Sequence, residues 1–137
     1  MNEREEDAGL AQTPGYKYAD SVDGQLFVAG QVPLDPAGDI IGLGDPAAQA
    51  TACLDNLRTL LEVHGFAVGD VRSITVYVVG ERKDLLQAWS AVTDWFRSPV
   101  PPATLLGARL LGHEHQLVEI DATVVRRAGL QASRQHS

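Results

Sequence analysis

Two carboxylates stand two residues apart in the stretch Gln116–Val125, QLVEIDATVV. Alternation along a strand places Glu119, Asp121 and Thr123 on one side, with roughly 7 Å between the two acids. Val118, Ile120, Ala122 and Val124 take the other side, as a half-buried strand requires. A carboxylate in a valine-rich strand is costly to bury without a partner. Glu119 and Asp121 therefore face solvent, line an interface or line a site, and an edge strand with a wet face carries as much weight as the site. His113 and His115 set two imidazoles two apart on a turn, but a metal needs a third ligand that the sequence does not supply, so no metal site is expected. Ser73 has no assignable base. Gly38, Gly42 and Gly44 lack the spacing of a phosphate-binding loop, and no cofactor is expected.

The elements that must position these residues follow from periodicity. Tyr16–Val22 reads as a weak strand and Gln25–Gln31 as a stronger one, with Asp23-Gly24 as a tight hairpin turn between them. Gly30 ends the second strand and Pro33 forbids a central strand position. Asp39–Gly42 offers a short further strand. Asp45 is a good N-cap, Pro46 suits the first helical position, and Ala50, Cys53, Leu54, Leu57, Leu60 and Leu61 form a helical stripe that ends at Gly65. Cys53 lies on that stripe and reads as a buried, inert thiol. His64 falls in the last turn, where the helix end favours a cation, and reads as a surface histidine.

Val71–Val79 is the clearest strand. Ile74, Val76 and Val78 form its apolar face, and Ser73, Thr75 and Tyr77 a hydroxyl-bearing one that resembles a semi-polar interface. Asp84–Arg97 is a second amphipathic helix, stopped by Pro99, Pro101 and Pro102. Thr104–Leu111 reads as a strand and Gly112–His115 as a turn before the Glu119 strand. The order is β-β-(β)-α-β-α-β-β, an α+β two-layer sandwich with both helices on one face of a mixed sheet. Its other face has nothing in the chain to cover it, and self-association is the natural remedy.

The 137 residues fit one domain, expected over 15–126, with 1–14 as a flexible N-terminal arm and 127–137 as a tail. Apolar residues make up 45%, enough for a core, and the formal net charge of −7 argues against nucleic acid as a partner. The single cysteine excludes an intrachain disulfide and suits a reducing, cytoplasmic setting. No apolar run approaches the ~18–20 residues of a membrane span, so no membrane partner is expected. The acidic start MNEREEDAG does not read as a signal peptide.

Four segments, in order and spanning roughly Tyr16–Val125, resemble the RidA (YjgF) family of reactive enamine and imine deaminases. Gly30-Gln31-Val32-Pro33-Leu34-Asp35 is similar to its GQxPLD segment, and Asp55-Asn56-Leu57 to the ENL of its first helix. Thr75-Val76-Tyr77-Val78 is similar to its TVYL strand, and Leu117-Val118-Glu119-Ile120-Asp121-Ala122 to its closing LVEIEA. The resemblance implies a chorismate-mutase-like fold and a homotrimer whose sheets form a central barrel with a cleft at each subunit boundary. It implies hydrolysis of 2-aminoacrylate and related imines to a 2-keto acid and ammonia. An arginine in a PAR motif clamps the substrate carboxylate and the glutamate of EIEA orients or activates water, the place Glu119 holds here.

The arginine is missing. Counting back from Gly107 sets Ala103 at its position, and counting straight back from Glu119 sets Thr104 there. The first count is preferred, and it puts Leu105 at a nearby site position. Ala29 replaces the serine before Gly30. The cleft tyrosine is Tyr16, or Tyr18 if the first strand slips. Arg109 lies about 20 Å along the strand from Ala103 and cannot stand in for the clamp. Tyr16, Ala29, Gly30, Ala103, Thr104 and Leu105 are thus the expected substrate-binding positions and Glu119 the catalytic one. Two functions fit: a trimeric hydrolase acting through Glu119 on a small imine or enamine other than 2-aminoacrylate, or a non-catalytic trimer that binds a metabolite or protein.

Overall fold

A computed structural model describes residues 1–97 and 99–127. The expected tail lies, beyond Arg127, outside the described residues. Five strands make one sheet in the order β1-β2-β5-β3-β4, where β1 is Ala19–Val22, β2 Gln25–Val28, β3 Val71–Val79, β4 Ala103–Ala108 and β5 Val118–Val125. β3 and β4 run parallel, and the other neighbours are antiparallel. The helices α2 (Pro46–Val63) and α3 (Arg82–Phe96) pack on one face of the sheet, as the α+β reading expects. A short α1 (Glu3–Asp7) contacts α2.

Local chemistry explains most of these elements. Asp45 caps α2 by accepting from the Ala48 amide at 3.1 Å, with Pro46 in the first turn. All six residues of the apolar stripe of α2 are buried. The β1–β2 turn holds Asp23 and Gly24 at φ 50° and 78°, the left-handed pair that a two-residue hairpin needs. β3 carries a bulge at Arg72, which lets Val71 and Ile74 both reach the core although their spacing is odd. The core closes where Ile74, Val76, Val78, Val118, Ile120 and Val124 meet Leu54, Leu57, Leu61, Ala88 and Val92 of the helices.

Several expectations need correction. The 1–14 segment is anchored at Glu5, Leu10 and Ala11, although most of its residues are exposed. Glu5 is 2% exposed, Leu10 and Ala11 are buried, and the Tyr18 hydroxyl donates to the Ala11 carbonyl at 2.6 Å. His64 does not lie free on the surface, because its side chain is largely covered and its Nε2 sits 2.7 Å from Glu5 Oε2. The charge-rich composition of the segment hides a capping box, Asn2 with Glu5, and a single carboxylate aimed inward. Asp39–Gly42 forms no strand beyond one bridge between Leu34 and Ile40. β1 begins at Ala19 rather than Tyr16. β2 stops at Val28, and Gln31 rejoins β5 through an isolated bridge to Ile120. β4 ends at Ala108, short of Leu111.

Candidate functional site

Register decides which side chains share the uncovered face of the sheet. Tyr77 pairs with Glu119 on β5 and with Leu106 on β4. Thr75 pairs with Asp121 and Thr104, and Thr123 pairs with Ser73 and Phe27. Paired residues point to the same side of a sheet. The uncovered face therefore presents the rows Glu119–Tyr77–Leu106, Asp121–Thr75–Thr104 and Phe27–Thr123–Ser73. Ile74, paired with Ala103, and Val76, paired with Leu105, belong to the buried core.

The preferred count thereby falls on the side of the sheet away from Glu119. Ala103 lies on the helix-side face, and Leu105 packs against the core. Thr104, the alternative, shares the face of Glu119. Shifting a strand by one residue exchanges its faces, so the two counts could not both be right. Thr104 is separated from β5 by the whole of β3, about 10 Å across two strand spacings. Within one subunit it does not share a pocket with Glu119. Ser73 faces the same open side, in a row with Thr123 and Phe27 rather than with a histidine.

The other expected positions do come together. Tyr16, Ala29, Gly30 and Glu119 line one cavity of about 320 Å³, joined by Pro14, Val32, Gly112 and His113. Tyr18 faces away, buried against Leu10 and Leu60, so Tyr16 is the cavity tyrosine. Burial, and after it the negative charge of Glu119, push the Tyr16 phenol up. Gly30 is required by space rather than by its backbone angles. A β-carbon there would stand 2.2 Å from Glu119 Oε2, well inside contact distance.

Helix α2 holds both walls of this cavity. Asn56 donates to the carbonyls of Val32 and Leu34 at 2.9 and 3.1 Å, which fixes the segment after Gly30. Gln49, fully buried, accepts from the amides of Leu117 and Val118 and donates to the carbonyls of His115 and Gly42. A third amide, Gln116, reaches the carboxylate itself. Its Nε2 donates to Glu119 Oε1 at 3.2 Å and to the Val118 carbonyl at 3.0 Å. Its Oε1 accepts from the His113 backbone N–H at 3.1 Å. Sequence reasoning missed Gln49 and Gln116. A glutamine on an apolar helix stripe, as Gln49 is between Pro46 and Ala50, is the signal that was available.

Cys53 lies fully buried behind β5, with its thiol 3.6 Å from the Val118 carbonyl. Burial, then the Glu119 charge, push that thiol well up, as expected for an inert cysteine. His113 and His115 gather no third ligand, and no group of three metal-binding side chains occurs among the described residues. No helix among those residues is long and apolar enough to cross a membrane.

The fold is a two-layer α+β sandwich of the chorismate-mutase-like class, and a carboxylate, a tyrosine and a glycine gather at the rim of its uncovered sheet face. Residues 8–126 match the family model for Endoribonuclease L-PSP, and the chain belongs to that family, the RidA/YjgF proteins. A RutC family protein of Pyrococcus horikoshii is 30% identical over 107 residues, covering 78% of this chain and 83% of that one. The 2-iminobutanoate/2-iminopropanoate deaminase of Escherichia coli is 38% identical over 64 residues, covering 44% of this chain and 48% of that one. The solved YjgF gene product of Escherichia coli superposes with a TM-score of 0.77 at 26% identity, covering 88% of this chain and 95% of that one. Escherichia coli TdcF with bound serine has a TM-score of 0.76 at 23% identity, covering 87% and 94%, and shares the fold.

Proposed function

We propose that this protein is a homotrimer with a cleft at each subunit boundary, and that it hydrolyses a small imine or enamine with Glu119 as the water-activating base. The observation that carries this is the cavity itself. Glu119 is held by Gln116 on one oxygen and lies against Gly30 with the other, beside Tyr16. A carboxylate so positioned can take the proton of a water that attacks a C=N carbon. The uncovered face supplies the reason for assembly, since Phe27 is 54% exposed, Val22 49% and Leu106 37% on a sheet with no second layer. Packing three such faces together brings Thr104 and Leu106 of one copy towards the Glu119 cavity of another.

The relative named for 2-iminobutanoate and 2-iminopropanoate suggests the reaction class. The substrate differs, because Thr104 stands where the family arginine would clamp a carboxylate. The acids on the open face, Asp20, Glu119 and Asp121, have no lysine or arginine paired beside them, and Arg72, at the β3 bulge, donates instead to the carbonyls of Gly69 and Asp70. We therefore assign a substrate without a carboxylate and expect 2-aminoacrylate to be turned over poorly. No cofactor, metal, nucleic acid or membrane takes part in this proposal, and the single buried free cysteine supports a reducing, cytoplasmic setting as part of it. The absence of the clamp equally favours a second function, a trimer that binds a metabolite without turning it over.

Competition with semicarbazide for an imine made in place tests the reaction. An amine oxidase supplies 2-iminopropane from isopropylamine, and an amino-acid oxidase supplies 2-iminopropanoate from alanine. Faster hydrolysis of the first, lost in Glu119→Gln, supports the hydrolase. Calorimetric binding of a small amine with no hydrolysis of either imine would favour the binding protein instead.

A further inference from the structure

We propose that His113 is a second proton-handling group of the Glu119 cavity, and that the two act together on an imine lacking a carboxylate. This rests on the hydrolase assignment above. The Gln116 amide between them can sit only one way round. Its nitrogen meets two oxygens, the Val118 carbonyl and Glu119 Oε1, while its oxygen meets the His113 backbone N–H. A flipped amide would set oxygen against oxygen and N–H against N–H. His113 Nδ1 lies 3.3 Å from that same Gln116 oxygen and therefore carries a proton. The other ring nitrogen, Nε2, has no hydrogen-bond partner among the described residues, and His113 lines the cavity that Glu119 and Tyr16 line. One buried amide thus fixes an imidazole at one end and a carboxylate at the other.

Such a pair can complete a hydrolysis without any further group. Glu119 takes a proton from water as the water oxygen bonds to the imine carbon, and His113, protonated on both nitrogens, gives its Nε2 proton to the imine nitrogen. The C=N double bond becomes a single bond and a carbinolamine forms. Glu119 then returns its proton to that nitrogen, Nε2 takes the hydroxyl proton, the C–N bond breaks, and ketone and ammonia leave. Both residues end as they began. The titratable groups that share the cavity with His113 are Glu119 from β5 and Tyr16 from the segment before β1, with Glu114 and His115 in its own turn. A carboxylate on the substrate would face Glu119 with no arginine supplied at Thr104 of a neighbouring copy, which is why a carboxylate-free imine fits.

The test uses His113→Asn in the full chain. The variant keeps the backbone N–H that Gln116 accepts from, so the turn should fold, and far-UV circular dichroism and sedimentation check that. With 2-iminopropane made in place, kcat is expected to fall about 10²-fold, with KM within about twofold. The alkaline limb of the pH–rate profile, which needs a protonated donor, is expected to vanish. A variant within about threefold of the parent rate that keeps its alkaline limb overturns the role of His113 while leaving the hydrolase assignment intact. A parent protein that hydrolyses neither imine removes that assignment and this one together. A parent that prefers 2-iminopropanoate overturns the carboxylate-free substrate.

Discussion

Glu119 lies across Gly30 so closely that a β-carbon on Gly30 would stand 2.2 Å from Oε2 and 2.9 Å from the carboxyl carbon. Gly30 does not adopt a positive φ, so its identity is set by the carboxylate and not by a turn. Removing the second residue should therefore relieve the first. Gly30→Ala is expected to cost about 1–3 kcal/mol of stability, the usual range for overpacking, and to abolish any Glu119-dependent activity. Gly30→Ala in a Glu119→Ala background should cost less than about 0.5 kcal/mol. Urea unfolding of the four proteins measures the difference, and equal costs in both backgrounds would mean that Gly30 matters for another reason.

Thr104→Arg is expected to raise hydrolysis of 2-iminopropanoate about 10- to 100-fold, the worth of one charge-assisted bidentate pair. Ala103→Arg is expected to give no gain, since its side chain starts on the helix-side face. The comparison is made in the semicarbazide assay. A gain in the Ala103 variant alone would contradict the strand register.

Assembly through the open face is expected to show as a trimer in sedimentation at micromolar concentration. Phe27, 54% exposed in the isolated chain, pairs with Thr123 on that face. Phe27→Asp should place a charge in the subunit interface and raise the dissociation concentration at least about tenfold. A parent protein that stays monomeric removes the proposed cleft.

Tyr18 gives stability a dependence on alkaline pH. Its phenol is buried and pushed up to about 12 from 10.0, first by burial and then by Tyr16 and Glu5. The folded state holds this proton more tightly than the unfolded chain does. The contribution is therefore complete below pH 10 and is lost as pH rises from about 10 towards 12. Over that window it amounts to roughly 2–3 kcal/mol. Tyr18→Phe removes that slope and costs about 1 kcal/mol at pH 8, where the bond to the Ala11 carbonyl is lost. Denaturant midpoints between pH 8 and 12 for both proteins decide it, and parallel curves would assign the alkaline loss elsewhere.

What the sequence determined by itself is local and periodic. The α2 stripe, the Asp45 cap, the Asp23-Gly24 turn and the two faces of β3 each follow from the period of a helix or strand and from the chemistry of one or two neighbours. Glu119, Tyr16, Ala29 and Gly30 could be marked as a group because the family motifs keep them in fixed short segments. The tertiary structure decided what depends on the alignment of distant strands. Ala103 and Thr104 differ by one residue and hence by one face, and only the pairing of Thr104 with Thr75 says which face is which. It also decided where long polar side chains end. Gln49 satisfies its amide on Leu117 and Val118, 68 and 69 residues away, and Glu5 finds His64 59 residues away. A carboxylate in an acidic N-terminal run looks solvated until the fold buries it, because burial is a property of what packs around a residue and not of its neighbours in the chain.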